Sequence, residues 1–475
     1  MNFSETLDLN PIFKIISDAA SDLEIEAFAV GGYVRDLILK RDCKDIDFVC
    51  IGSGIALAEA SAAKISSDIH VATFKNFGTA MFKYGEYDIE FVGARKESYR
   101  SDSRKPSVEN GTLDDDQKRR DFTINALAIS LRKADYGELI DPFEGIKDLK
   151  RKFIRTPLNA DITFSDDPLR MMRAIRFASQ LNFDITPDTF DAILRNKNRI
   201  NIVSMERISD ELNKIILSPL PSYGFKLLYQ SGLLNIIFPE LVALHGVESR
   251  DNKSHKDNFY HTLQVLDNVA VNSNDLWLRW AALLHDIAKP LTKRFDQKVG
   301  WTFHGHEDKG ARMVSGIFRR LKLPLNEKMK SVENLVRLHL RPIPLVGKEI
   351  TDSAIRRLIV DAGDDYTFLM ILCKADVTSK NNDKVKRYLQ NFIEVEKKVV
   401  AVLEQDDLRN FQPILSGQDI MNIFQLPPSR IVGDIKTALR EALLEGTIKN
   451  DYPSCYDFVV AYAHKELQIS PSPTI

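Results

Sequence analysis

Apolar and polar positions follow two rhythms along the chain. In the first third, short apolar runs alternate with helix-like stretches. Ala27-Phe28-Ala29-Val30 reads as a strand ending at Gly31-Gly32, and 33–40 continues with helical spacing. Residues 45–51 alternate at period two over their first positions, as a half-buried strand does. A small-residue amphipathic helix is expected over 54–65, followed by strands around 69–74, 79–84 and 87–92. Between 95 and 120 the chain turns polar and loses its period, which predicts a long functional loop. Beyond residue 161 apolar residues recur at three- and four-residue spacing, predicting helices over 169–180, 189–195, 205–217 and 225–231. A second helical block spans about 255–398, and two further helices are expected after 414, before a Pro/Ser-rich end. No internal repeat is visible. Strands with helices between them, then helices alone, predict an α+β protein. Its expected divisions are 1–155, 156–245, 246–400 and 401–475.

Length and charge narrow the function. The 475 residues suit several domains. A net charge of −2 excludes binding of nucleic acid by bulk charge, so any such contact must come from local patches. With 44% hydrophobic and 28% charged residues the composition is globular. No apolar run approaches the roughly 18 residues of a membrane span. The start, Met1-Asn2-Phe3-Ser4-Glu5, lacks a secretory pattern. Cys43, Cys50, Cys373 and Cys455 have neither metal-type nor disulfide-type spacing, so a cytoplasmic protein is expected.

Asp45-Ile46-Asp47 is the most informative short feature. Residues i and i+2 of a strand share a face, so both carboxylates converge. Such a pair calls for neutralising cations, and Mg²⁺ with oxygen ligands suits it. Two such ions can activate a hydroxyl and steady a leaving pyrophosphate. Upstream, Gly31-Gly32 sits between a strand and a helix start, where bare amides can approach a triphosphate with Arg35 close by. Glu90, on a later strand, reads either as a third catalytic carboxylate or as a solvent-facing residue.

Gly31-Gly32-x-Val34-Arg35-Asp36 followed by Asp45-x-Asp47 resembles the opening motif of class II tRNA nucleotidyltransferases and bacterial poly(A) polymerases. The resemblance continues through Arg119-Arg120-Asp121-Phe122-Thr123-Ile124-Asn125-Ala126-Leu127-Ala128 and Asp141-Pro142-Phe143-x-Gly145. It ends with Asp166-Asp167-Pro168-Leu169-Arg170-Met171-Met172-Arg173-Ala174-Ile175-Arg176-Phe177, covering roughly 25–235. It implies a polymerase-beta-like head with a mixed sheet, a helical neck, and tRNA, CTP and ATP as partners. It also implies that Asp167 and Arg170 choose the base by hydrogen bonding, while Asp166, standing where the family usually has Glu, orients Arg170 with a shorter reach. Asp121 and Asn125, four apart on an expected helix, would hold the ribose and Arg120 the phosphates. Arg173 and Arg176 read equally as phosphate contacts or a solvated face.

The 95–120 stretch occupies the place of the family's flexible loop, and its length favours complete CCA addition. The alternatives are a poly(A) polymerase or an A-adding enzyme. Basic tracts at 147–152 and 319–322, and the lysines from Lys380 to Lys398, are candidate tRNA contacts or solvated faces.

Six of nine histidines lie between His255 and His339. The ordered set His261, His285-Asp286, His306, His339 and Asp376 resembles the HD metal-dependent phosphohydrolase pattern. Imidazoles and carboxylates from several helices can surround one or two divalent ions, a transition metal or Mg²⁺, that lower the pKa of a bound water. His304 competes with His306, which only the resemblance favours. A third function follows: a metal phosphohydrolase whose N-terminal domain merely binds nucleotide or RNA.

Overall fold

A computed structural model describes residues 1–75, 78–100, 103–251, 253–346, 351–378, 381–406 and 412–471. The chain forms two compact units, Met1–Val242 and Ala243–Ile475.

The first unit is built on a seven-stranded sheet. Its strands are β1 (Ala27–Val30), β2 (Asp45–Cys50), β3 (Ala72–Phe74), β4 (Thr79–Tyr84) and β5 (Tyr87–Gly93). A separate hairpin, β6 (Arg95–Arg100) with β7 (Ser103–Asn110), intervenes before β8 (Ala128–Ser130) and β9 (Leu139–Ile140). The sheet order is β3-β4-β5-β2-β1-β8-β9, and β2–β5 is its parallel pair.

Alternation in β2 sends Ile46 and Phe48 into the core while Asp45 and Asp47 face the other way. Phe48 stacks on Phe91 at 5.5 Å between ring centroids and meets Phe13 of the helix Pro11–Asp22 at 5.7 Å. Each buried phenylalanine contributes on the order of 2 kcal/mol. The helix Gly54–Ile65, capped by Ser53 on the Ala56 amide, covers the same face of β4 and β5.

Two expectations are corrected. The segment 95–120 is not an irregular loop: it holds the β6–β7 hairpin and the helix Leu113–Lys118, which starts with a capping box between Thr112 and Asp115. Tyr99, Pro106 and Val108 are scattered among otherwise polar residues of the hairpin, so no apolar period marks it. Asp121 and Asn125 do not share an α-helix; a 3₁₀ turn, Thr123–Asn125, replaces it. Gly145 explains the turn's placement, because a Cβ there would lie 2.4 Å from the Thr123 carbonyl oxygen. Asp141 accepts hydrogen bonds from the Gly145 and Ile146 amides, fixing that approach.

The expected helices follow at Leu169–Leu181, Pro187–Asn196, Met205–Ile216 and Pro221–Gln230. Met205–Ile216 buries Ile208, Leu212, Ile215 and Ile216 on one side.

In the second unit Asn258–Asn272, Leu276–Leu284, His306–Arg320, Glu327–Leu338 and Tyr366–Asp376 form a helical bundle. A small hairpin, Arg294–Asp296 with Gly300–Thr302, interrupts it. Among the described residues the end of the chain holds three helices, Gly417–Phe424, Arg430–Glu445 and Tyr452–Leu467, where two were expected; Ile420, Ile435, Leu439 and Val459 form their shared core. Lys380, the first residue of the third basic tract, lies outside the described residues. Among the described residues no helix is long and apolar enough to cross a membrane.

Candidate active site and metal centre

In the first unit, β2 and β5 place three carboxylates together. Asp47 pairs in register with Glu90, and Asp45 lies two residues away on the same face. Burial pushes the Asp47 carboxyl up to about 6, with Glu90 and Asp45 adding to the rise against the opposing pull of Arg120. Crowded carboxylates of this kind fit a divalent cation.

Across β1, Val30 sits opposite Asp47, and the chain then enters Gly31 at φ +74°. A Cβ at Gly31 would lie 2.9 Å from Arg120 Nη1 and 3.4 Å from Asp47 Oδ2, so glycine is required by both conformation and close approach. The Gly31 amide donates to the Leu127 carbonyl at 3.2 Å, so this glycine supplies space and not a phosphate-binding amide. Arg35 is also committed within the fold. It grips Asp36 with Nε and Nη2 at 2.9 and 2.7 Å and donates from Nη1 to Asn125 Oδ1 at 2.8 Å.

Asp116, fully buried, organises the opposite wall. It binds Arg119, and it accepts from Arg120 Nε at 2.9 Å. Burial opposes its ionisation, but the two guanidinium groups outweigh that and hold its carboxyl below the usual range. The Arg119 carbonyl in turn accepts from Arg170 Nη2 at 2.7 Å. Asp167 accepts from the Leu169 amide at 3.2 Å, which anchors it at the helix start beside Arg170.

Asp121 binds the Asn125 amide at 3.0 Å and Arg173 Nε at 2.7 Å. Burial alone would raise the Asp121 carboxyl, yet Arg173, Asn125 and Arg170 together hold it at about 2. Arg176 Nε lies 2.9 Å from Glu211 Oε2, and its guanidinium sits 4.1 Å from the Phe177 ring centroid.

Together these residues enclose one cleft of about 780 Å³. Gly31, Gly32, Arg35, Asp45, Asp47, Glu90, Arg120, Asp121, Asn125, Asp167, Arg170, Arg173 and Arg176 all line it. Asp166 does not: it ends the helix Ala160–Asp166 and lines a smaller pocket behind Arg170 with Lys96 and Lys118.

In the second unit the histidine set converges. His285, His306 and His339 each have Nδ1 at 2.7 Å from the carbonyl three residues earlier: Ala282, Phe303 and Val336 respectively. That contact puts a proton on Nδ1 and turns each Nε2 inward, where a metal ion can take the place of a second proton. All three Nε2 atoms are buried without a partner in hydrogen-bonding geometry. Asp286 lies 3.2 Å from His306 Nε2 and 3.3 Å from His285 Nε2; Asp376 lies 2.9 Å from His261 Nε2.

Ligand atoms of His261, His285 and Asp286 fall within 4.8 Å of one another, as do those of Asp286, His306 and His339. Orphaned, inward-facing imidazole nitrogens around carboxylates fit a metal ion. Burial works against a charge on His285, but Asp286 and Asp376 raise it to about 10, so the paired carboxylates demand a cation. Burial and the charge on His285 push His339 down to about 4, keeping it a neutral donor. His304 is exposed, whereas His306 is buried in the centre.

Comparison with known proteins agrees with this arrangement. The Poly A polymerase head domain matches residues 27–155, the "Probable RNA and SrmB- binding site of polymerase A" matches 182–244, and the HD domain matches 258–378. The chain is 30% identical over 441 residues to the CC-adding tRNA nucleotidyltransferase of Thermus thermophilus, covering 89% of this chain and 91% of that one. The chain belongs to the tRNA nucleotidyltransferase family.

Other members of the family are similar at comparable levels. The A-adding tRNA nucleotidyltransferase of Deinococcus radiodurans is 32% identical over 71% of this chain and 76% of its own length. The solved CCA-adding enzyme of Bacillus stearothermophilus in complex with CTP shares the fold, with a TM-score of 0.66 at 23% identity over 97% of this chain and 99% of that one. As a tRNA nucleotidyltransferase family member the chain is an enzyme of nucleotidyl transfer, and its head and HD domains both imply divalent metal use.

Sequence reading missed Asp36, Asp116, Arg207, Glu211 and Lys214 as parts of the cleft or its support. Only the helical spacing of 207, 211 and 214 signalled a shared face. Near the HD centre it missed Lys289, which binds Asp286 at 2.6 Å, and Thr378, 2.9 Å from His261 Nδ1.

Proposed function

We propose that this chain is a template-independent CCA-adding enzyme, joining C, C and A to tRNA 3′ ends from CTP and ATP. The observation that carries the reading is a single cleft in which Asp45, Asp47 and Glu90 face Asp167 and Arg170. Asp45 and Asp47, supported by Glu90, would hold Mg²⁺, which when bound polarises the reacting phosphate and lowers the pKa of the attacking hydroxyl. Asp121 and Asn125 orient the sugar, and Arg120, held by Asp116 over Gly31, meets the phosphates.

Asp167 supplies an acceptor and Arg170 a set of donors, which matches the hydrogen-bonding edges of cytosine and adenine. Asp166, behind Arg170, acts on its orientation and not on the base. The long β6–β7 hairpin supports complete CCA addition over CC-only transfer.

We assign the head to 1–155, the neck to 156–245, the HD domain to 246–400 and the tail to 401–475, and place the protein in the cytoplasm. In the HD domain His261, His285, Asp286, His306, His339 and Asp376 would hold a divalent transition metal or Mg²⁺ for hydrolysis of a phosphate ester.

The deciding experiment offers tRNA lacking its CCA end with CTP alone, ATP alone, or both. Two C additions with CTP alone and completion with ATP are expected. Addition of A alone, or of long A tracts, would replace this reading with an A-adding enzyme or a poly(A) polymerase.

A further inference from the structure

Several polar groups of the cleft converge on one ring. Phe177, on the helix Leu169–Leu181, lines the cleft and is 7% exposed. Three guanidinium groups gather around it: Arg176, Arg35 and Arg173 lie 4.1, 5.1 and 5.4 Å from the ring centroid. Arg173 and Arg176 belong to the helix that carries the ring, and Arg35 to the helix Gly32–Ile38. Phe122 meets the ring edge-on, at 5.8 Å between centroids.

Three of these four partners hold Asp121 or Asn125. Arg35 donates from Nη1 to Asn125 Oδ1 at 2.8 Å, Arg173 from Nε to Asp121 Oδ2 at 2.7 Å, and the Phe122 amide to Asp121 Oδ1 at 2.9 Å. A guanidinium only donates, so Arg35 fixes which way the Asn125 amide points. Its oxygen faces the arginine and its Nδ2 faces Asp121, 3.0 Å away. Both members of the pair are therefore oriented by groups that touch Phe177.

Cations gathered this closely repel one another. Burial pushes the Arg176 guanidinium down, and Arg173 and Arg35 push it further, to about 10 despite Glu211. Asp36, Asp121 and Glu211 each partner one guanidinium, at 2.7, 2.7 and 2.9 Å. The electron-rich ring attracts all three guanidinium groups at their common centre. An aliphatic side chain would fill the same space without that attraction.

We propose that Phe177 is a positioning residue for the nucleotide's ribose: by anchoring Arg35 and Arg173 it fixes Asn125 and Asp121, and so sets the preference for a ribonucleotide over its 2′-deoxy counterpart. The proposal rests on the transfer reading above and names what makes its sugar contacts rigid. A polar pair held in one geometry rejects an analogue that leaves its hydrogen bonds unmade, whereas a loosened pair can turn to water instead.

The test places phenylalanines carrying one, two and three ring fluorines at position 177 of the full chain. Fluorine drains the ring's π charge with little change of shape, so packing is kept while the attraction for cations weakens. The ratio of kcat/KM for CTP to that for dCTP should fall stepwise, by about ten-fold at three fluorines, with the KM for tRNA lacking CCA unchanged. Phe177→Leu should lower the ratio at least as far. A ratio that stays flat along the fluorine series would overturn the proposal, even if Phe177→Leu lowers it, because the ring would then only fill space. Equilibrium binding of CTP and dCTP without tRNA reads the same preference without turnover. A wild-type protein that adds no nucleotide would end the transfer reading, yet its preference for CTP, shrinking with each fluorine, would still support the role of the ring. Equal binding of the two nucleotides by the wild type would overturn it.

Discussion

Asp47 and Glu90 lie side by side where β2 and β5 run parallel, so a carboxylate from each strand meets on the face opposite the phenylalanine core. The same pleat that buries Phe48 and Phe91 delivers the acids to the cleft.

Replacing Asp47 by Asn should therefore separate stability from activity. The crowded carboxyl, raised to about 6, disfavours the metal-free fold at neutral pH, so Asp47→Asn should match or exceed the wild-type melting temperature without Mg²⁺. Mg²⁺ should raise the wild-type melting temperature and leave the variant's where it was. Nucleotide incorporation should fall by about 10³-fold or more. Undiminished incorporation would remove Asp47 from the site.

Asp121 supplies a pH dependence of defined sign. Its folded carboxyl is held at about 2, below the ordinary value near 4, so its contribution is complete above that ordinary value and is lost as pH falls toward 2. The contribution is about 2 kcal/mol. Asp121→Asn should be destabilised by about that amount at pH 7 in denaturant titration, and the gap to wild type should narrow below pH 4. A gap that stays constant down to pH 2 would mean that the ion pair with Arg173 contributes nothing.

The fold was legible wherever one face of an element is apolar. β2 announced itself by alternation, and Met205–Ile216 by its three- and four-residue spacing. The β6–β7 hairpin was not legible, because its sequence is polar apart from Tyr99, Pro106 and Val108 and has no period to detect. Asp121 and Asn125 were paired correctly through a wrong helix: they meet at 3.0 Å across a 3₁₀ turn that Gly145 positions from twenty residues away. Glu211 was invisible for a related reason, since its partner Arg176 lies in another helix and nothing local marks the pair.

Arg170 and Asp167 should control which base enters. Arg170 is braced by the Arg119 carbonyl and Asp167 by the Leu169 amide, so each side chain is held in place before a nucleotide arrives. Arg170→Ala should lower kcat/KM for both CTP and ATP by roughly 10²-fold and allow detectable UTP or GTP incorporation, because lost hydrogen bonds remove discrimination. Competition assays with all four nucleotides read this directly. Retained selectivity would move base choice elsewhere in the cleft.

The histidine centre should act independently of nucleotide addition. Three Nε2 atoms oriented by backbone carbonyls make a preformed donor set, and removing one should reduce bound metal in the purified protein severalfold. His285→Ala and His306→Ala should lose metal, measured by elemental analysis, together with hydrolysis of a simple phosphate diester. His304→Ala should keep both, because His304 is exposed while His306 is buried against Asp286 at 3.2 Å. CCA addition should survive all three changes, since Asp45 and Asp47 belong to the other compact unit. A wild-type protein that hydrolyses the diester but adds no nucleotide, and that loses this sole activity in His285→Ala, would instead support the rival in which the head only binds nucleotide or RNA.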